Sequence, residues 1–277
     1  MWLGEFAERW LFLIENAVTA TSAWDASECH PEPQHRAHVT PPALHTCATT
    51  NTAPYDRARR NVGRDWPAHG YTMVGHVRLR SLRRQLERVV AEHVPGDVVE
   101  LGVWRGGAAM YARAVLMTLG QEAARRRVHL FDAFGTLSGY GPARNYLAVP
   151  LRDVKEAFRK FDLLATEVRF HRGLFNVTLP RFVNKSAHKN ESGAIAVLRI
   201  DGNFYQSYAD ALHNLWDRVS VGGAVIFDDF STGPPMQIRR NGGGGGPRAA
   251  WEDFRRARAL RVHLRAIDQM SSYVIKE

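Results

Sequence analysis

Five acidic residues sit where they could do chemistry. Asp201 ends one short apolar run, and the adjacent pair Asp228 and Asp229 ends the next. Carboxylates gathered at one buried point repel each other, so they require a cation or proton uptake. Oxygen ligands with no His or Cys among them select Mg²⁺, with Mn²⁺ or Ca²⁺ chemically acceptable and Zn²⁺ disfavoured. Asp is also a good helix N-cap. Capping accounts for one of these acids but not for an adjacent pair with a third beside it. Asp132 ends another apolar run. There it can accept hydrogen bonds from both hydroxyls of a ribose, or it can cap its own turn. Glu100 opens the string ELGVWRGG over 100–107, with glycine at plus two and plus six. Such glycines close a tight turn against a helix N-terminus and let a ligand approach the backbone. The spacing differs from the G-x-G-x-x-G of dinucleotide loops, which argues against NAD.

Strands and helices must position these residues, and the periodicity supplies them. From residue 96 onward, apolar runs alternate with amphipathic stretches. The pattern predicts strands over 97–102, 128–132, 168–171, 194–200 and 222–227. It predicts helices over 108–119, 151–161, 208–219 and 249–259, and a closing strand pair over 261–267 and 272–275. This is the signature of an α/β, doubly wound parallel sheet covered on both faces. Ligands in such a sheet bind beyond the carboxyl ends of the strands, and all five acids fall there. Upstream, 1–24 reads as one amphipathic helix with Trp2, Leu3, Phe6, Trp10, Leu13, Ile14 and Ala17 on one face. Residues 25–56 hold five prolines and no periodicity, and read as a loop. The main domain spans 57–277 and holds a further helix over 73–93. The five glycines 242–246 read as a slack insertion rather than a lid. His129 and His171 read as packed, hydrogen-bonded residues.

Composition narrows the function. The chain has 277 residues, 45% hydrophobic and 23% charged, which is ordinary globular usage and excludes a disordered chain. No apolar run approaches the ~18 residues that span a bilayer. At the N-terminus Glu5 and Glu8 outweigh Arg9, so a signal peptide is not expected. The net charge of +9 invites a nucleic-acid reading. However, the positive residues are 32 Arg and 5 Lys scattered over predicted helices, and they read as solvated helix faces. Cys29 and Cys47 have no CxxC partner, which suits free thiols and a cytoplasmic location.

Glu-x-Gly-x-x-x-Gly followed one helix later by a strand-end acid resembles the S-adenosylmethionine site of Rossmann-like methyltransferases. Together, ELGVWRGG, TMVG over 72–75, LRIDG over 198–202 and SVGGAVIFDD over 220–229 resemble the macrocin O-methyltransferase family. The resemblance runs from about Arg57 to the C-terminus, and more weakly through the first helix. It implies a Rossmann-like sheet that uses S-adenosylmethionine and Mg²⁺ to methylate a hydroxyl of a small, glycosylated or polyhydroxylated acceptor. By the same resemblance Asp201, Asp228 and Asp229 match the metal ligands. Thr72, Met73, Glu100, Gly102, Arg105, Asp132 and Gly173 match positions lining the cofactor. The first helix matches a segment that assembles homo-oligomers.

Two departures lie on the acceptor side. The family pattern D-G-D, whose second acid is the general base, is here Asp201-Gly202-Asn203, and the stretch 134–146 is short. An amide cannot take a proton near neutrality, so Asn203 implies that Asp201 or water receives the hydroxyl proton. The alternatives are a cofactor-binding protein that has lost turnover and, with less support, a nucleic-acid methyltransferase. The latter lacks an N/D-P-P-Y/F motif.

Overall fold

Strands with both faces covered need continuous apolar runs, and this chain supplies five in succession. The computed structural model describes residues 2–22, 27–28, 52–136, 146–188, 193–230 and 246–277. In chain order it forms α1 (Trp2–Val18), β1 (Ser27–Glu28), β2 (Thr52–Ala53), α2 (Arg57–Asn61) and β3 (Trp66–Pro67). Next come α3 (His76–Ala91), β4 (Asp97–Leu101), α4 (Gly107–Thr118), α5 (Gln121–Ala124), β5 (Val128–Asp132) and α6 (Leu151–Lys160). The second half holds β6 (Val168–Arg172), α7 (Phe175–His188), β7 (Ile195–Ile200), α8 (Tyr205–Leu215) and β8 (Val219–Phe227). It closes with α9 (Pro247–Ala257), β9 (Arg265–Ala266) and β10 (Ser272–Ile275).

The seven-stranded sheet has the order β6-β5-β4-β7-β8-β10-β9. Its first five strands pair in parallel. β10 inserts antiparallel between β8 and β9. Strand order reverses at β4, which has β5 on one side and β7 on the other, so the ligand crevice opens above β4. Alternation along the strands divides the core into two layers. Val98, Val128, Leu130, Val197 and Ile226 pack beneath α1, α3, α4 and α6. Val99, Leu101, Phe131, Leu198, Ile200 and Phe227 pack against α7, α8 and α9.

Several expectations change. The inward stripe of α1 is Leu11, Ile14 and Val18, while Phe6 and Leu13 are 71% and 64% exposed. The stripe rotates because Glu15 is also drawn inward. It pairs with His76 Nδ1 at 2.6 Å, accepts from Arg80 Nε at 3.0 Å and accepts from the Tyr111 hydroxyl at 3.0 Å. The two ends of the expected loop 25–56 form strands, with β1 pairing both β2 and β3. Residues 29–51, with Cys29 and Cys47, lie outside the described residues, as do most of 134–146 and glycines 242–245. α7 was not expected, because Pro180 and its polar neighbours mask the pattern. Its Phe175, Leu179, Phe182 and Val183 nonetheless recur at helical spacing and join the core. The strand expected over 261–267 shrinks to two residues. His129 and His171 behave as read, with ring nitrogens 3.1 Å apart and His171 stacked on Phe131. Among the described residues, no helix is long and apolar enough to cross a membrane.

Burial alone would raise the Glu15 carboxyl, but hydrogen bonds and charge from His76 and Arg80, with the Tyr111 hydroxyl, hold it below the ordinary 4.5. Glu15→Ala leaves His76 and Tyr111 without their buried acceptor and should destabilise by ~3 kcal/mol, as measured by urea unfolding near neutrality. Because the folded-state value is depressed, the difference from wild type should be full above pH 4.5 and close as pH falls through the lowered value.

Candidate active site

The site forms where five strand ends meet. Register sets Glu100 of β4 beside Arg199 of β7. Alternation turns both toward the α3 layer, the same side as Val98 and Val197. Arg199 is 3% exposed. Its Nη1 donates to Glu100, and its Nη2 lies 2.7 Å from Asp201 Oδ2 and 3.0 Å from Asp228 Oδ2. From α3, Arg78 Nη1 reaches Asp228 Oδ2 at 3.1 Å, and its Nε reaches Asp268 Oδ2 at 2.8 Å. Asp268 Oδ1 in turn accepts from the backbone N–H of Met270 and Ser271, each at 2.7 Å. Two guanidinium groups are thus threaded through the carboxylates. The sequence reading set Arg78 on a solvated face; it is 7% exposed, because Asp228 and Asp268 give it buried partners.

These cations do not settle the charge. Asp201, Asp228 and Asp229 each present one carboxylate oxygen, all within 4.8 Å of one another. Asp228 Oδ2 takes both arginines, while Asp228 Oδ1 is buried with no hydrogen-bond partner. A buried carboxylate oxygen left bare is costly, and a divalent cation among three hard oxygen ligands would satisfy it. Burial would raise Asp228, but Arg199 and Arg78 hold it below the usual carboxylate range. Burial pushes Asp201 well up; Arg199 opposes this, and Asp228 and Asp229 add to it. Burial likewise drives Glu100 up to about 7, against the pull of Arg199.

Among the residues expected to line a cofactor, Gly102 takes φ +88°, and a Cβ there would overlap the carbonyl of Asp201. This glycine is therefore required by the β4–β7 approach, a reason the ligand-centred reading of the loop missed. Of the two roles that the sequence left open to Asp132, the structure shows the cap. Its Oδ1 accepts from Phe134 N–H at 2.8 Å, and its Oδ2 accepts from Val103 N–H at 2.8 Å and Trp104 N–H at 3.4 Å. It thereby ties the glycine loop to the end of β5, and burial raises its carboxyl despite those donors. Gly173, at φ +137°, donates its N–H to the Asp132 carbonyl at 2.9 Å. Thr72 is buried, and its hydroxyl accepts from Val74 N–H at 3.1 Å. Met73 lies beside it in the segment before α3, not in the helix.

Two further expected liners make contacts within the protein. The Glu100 carboxylate goes to Arg199. Arg105 Nη1 lies within 3.0 Å of the carbonyls of Pro67, Ala68 and Gly70. Asn203 is exposed in the turn between β7 and α8, two residues past Asp201. The groups that sequence reasoning missed are Arg199 and Arg78. A lone arginine inside a strand of buried apolar residues, in register with Glu100, was the available signal for the first.

A parallel sheet with an antiparallel insertion beside its last strand, and acids at the carboxyl ends of β4, β5, β7 and β8, is the architecture of a class I S-adenosylmethionine-dependent methyltransferase. Residues 7–276 match the model of the macrocin-O-methyltransferase (TylF) family, and the chain belongs to that family. It is 42% identical over 189 residues to the 8-demethyl-8-(2,3-dimethoxy-alpha-L-rhamnosyl)-tetracenomycin-C 4'-O-methyltransferase of Streptomyces olivaceus, covering 64% of this chain and 69% of that one. It is 40% identical over 196 residues to the demethyldecarbamoylnovobiocin O-methyltransferase of Streptomyces niveus, covering 66% and 71%. The structure of the O-methyltransferase NovP superposes with a TM-score of 0.77 at 32% identity, over 98% of this chain and 99% of that one. The protein is an S-adenosylmethionine-dependent O-methyltransferase.

Replacing Arg199 by Met strips the cation from three carboxylates and should cost ~3–5 kcal/mol at neutral pH. Glu100 sits above its ordinary 4.5 at about 7, so stability should fall as pH climbs across that window. The variant should steepen that fall, which urea unfolding at about pH 5.5 and about pH 8 would measure.

Proposed function

We propose that this enzyme methylates a sugar hydroxyl of a glycosylated natural product, with Mg²⁺ held by Asp201, Asp228 and Asp229. The bare Asp228 Oδ1 inside a three-carboxylate cluster is the observation that carries the metal assignment. The acceptor class is supported by relatives whose names specify a rhamnosyl tetracenomycin and a novobiocin precursor. S-Adenosylmethionine supplies an electrophilic methyl on a sulfonium, and a divalent cation supplies positive charge that lowers the pKa of a hydroxyl beside it.

The residues of the chain divide the remaining work. Thr72, Met73, Gly102, Asp132 and Gly173 form the cofactor wall, with Asp132 assigned to the ribose hydroxyls. Glu100 and Arg105 support that wall through protein partners. Orientation of the acceptor oxygen toward the methyl group accounts for much of the rate. Asn203 holds the position of the family's base but cannot accept a proton, so Asp201 or water takes it. Phe6, Phe12 and Leu13 form an exposed apolar face on α1, which supports a homo-oligomer built on that helix. Of the arginines behind the net charge, Arg60, Arg78, Arg113 and Arg199 are buried and unavailable to phosphates, which weighs against a nucleic-acid acceptor. The two unpaired-motif cysteines support a cytoplasmic enzyme.

Methyl transfer from labelled S-adenosylmethionine should proceed to glycosylated acceptors and fail with their aglycones. Transfer to aglycones alone would overturn the sugar assignment. Chelation should abolish turnover, and Mg²⁺ should raise the Tm of wild type but not of Asp228→Asn. An unchanged melting curve at millimolar Mg²⁺ would exclude the metal. Asn203→Asp should accelerate methylation at neutral pH by up to ~10²-fold, the lower range for general-base help. If that substitution slows a fast enzyme, Asn203 is a positioning donor and the proton leaves by another route.

A further inference from the structure

The segment from Asp65 to Thr72 has little regular structure beyond Trp66–Pro67, yet it is held from every side. Asp65 pairs with Arg60 Nε at 2.6 Å, and Arg60 Nη1 donates to the Thr19 carbonyl at 2.8 Å. The carbonyl of Val18, at the end of α1, accepts from the N–H of both Tyr71 and Thr72, at 2.7 and 3.0 Å. Trp66 rests against Tyr146 with ring centroids 4.9 Å apart. From the glycine loop, Gly107 N–H donates to the Tyr71 carbonyl at 2.8 Å. A Cβ on Gly107 would lie 2.6 Å from that same carbonyl, so the loop and the segment touch backbone to backbone.

Arg105 makes the remaining link. The carbonyls of Pro67, Ala68 and Gly70 converge on its Nη1 at 3.0, 2.9 and 3.0 Å. Three carbonyl dipoles aimed at one point repel each other unless a cation sits there. The guanidinium is itself steadied by the Trp104 ring, 4.2 Å from its Cζ. Trp104 adopts a left-handed φ of +49° and gives its backbone N–H to Asp132. One short loop therefore carries both the Asp132 anchor and the cation that shapes the 67–70 turn.

We infer that Arg105 is a positioning residue for the cofactor, acting through the 67–70 turn rather than by touching the ligand. The inference rests on the proposal that Thr72 and Met73 line the cofactor. Arg105 from the loop and the α1 C-terminus from the opposite side fix the entry of the chain into Thr72. Loss of the guanidinium lets the turn relax and misplaces Thr72 and Met73. The consequence is weaker cofactor binding with the loop itself still intact.

The test uses S-adenosylhomocysteine as the probe, with calorimetry and amide hydrogen exchange on the full chain. In wild type, the probe should protect the amides of residues 71–73; absence of that protection would overturn the wall assignment and the inference with it. Arg105→Gln should weaken binding of the probe roughly 10- to 100-fold, the range for losing hydrogen bonds from a charged donor. Exchange at 66–72 should accelerate in the same variant without ligand. Arg105→Lys keeps the cation and should recover most of the affinity, and it serves alone if the glutamine variant fails to fold. With a turned-over acceptor, Arg105→Gln should raise KM for S-adenosylmethionine far more than it lowers kcat. Affinity within about twofold of wild type alongside a lower Tm would make Arg105 a purely structural residue and overturn the inference. Weaker binding with unchanged exchange at 66–72 would mean direct contact with the cofactor, and would overturn it as well.

Discussion

A single guanidinium shared by three strands governs this structure. Arg199 lies in the middle of the sheet, between Glu100 of β4 and the acids that end β7 and β8. Without it, the strand ends would bring like charges together in a medium where repulsion is strong. With it, the ends of β4, β7 and β8 are locked in register at the point where strand order reverses. Arg78 extends the arrangement to α3 and, through Asp268, to the C-terminal hairpin. Glu100, Asp201, Asp228, Asp229 and Asp268 face two arginines in this network, so a negative surplus remains where Asp228 Oδ1 is bare. Buried ion pairs of this kind fix geometry more than they add stability.

The same logic links the first helix to the segment that leads into Thr72. α1 fills the core layer shared with α3 and α4, and its last carbonyl receives the chain at Tyr71 and Thr72. Glu15 secures His76 at the first turn of α3, four residues beyond Thr72. The segment proposed to line the cofactor is thus stabilised by residues distant in sequence, while Asn203, on the proposed acceptor side, is exposed.

The alternating sheet was legible because strands covered on both faces leave long apolar runs. The acids were legible because each ends such a run. Arg199 was hidden by its own strand: one charge among buried apolar neighbours has no periodic signature, and only register brings it to Glu100. Arg78 was hidden in an arginine-rich helix, where composition favours solvent. α7 was obscured by Pro180, although its apolar spacing was intact. Arg105 and Gly102 were legible as positions, but the protein partners that surround them were not. What fills the space beside a glycine, or satisfies a guanidinium, depends on segments far away in the chain.

We propose that the charge left over by Arg199 and Arg78 is balanced by a divalent cation at the ends of β7 and β8. A crystal grown with S-adenosylhomocysteine and Mn²⁺, measured at the manganese absorption edge, tests this most directly. One strong anomalous peak is expected within inner-sphere distance of Asp201, Asp229 and the Oδ1 of Asp228. No peak at saturating Mn²⁺, or a peak away from those three carboxylates, would contradict it.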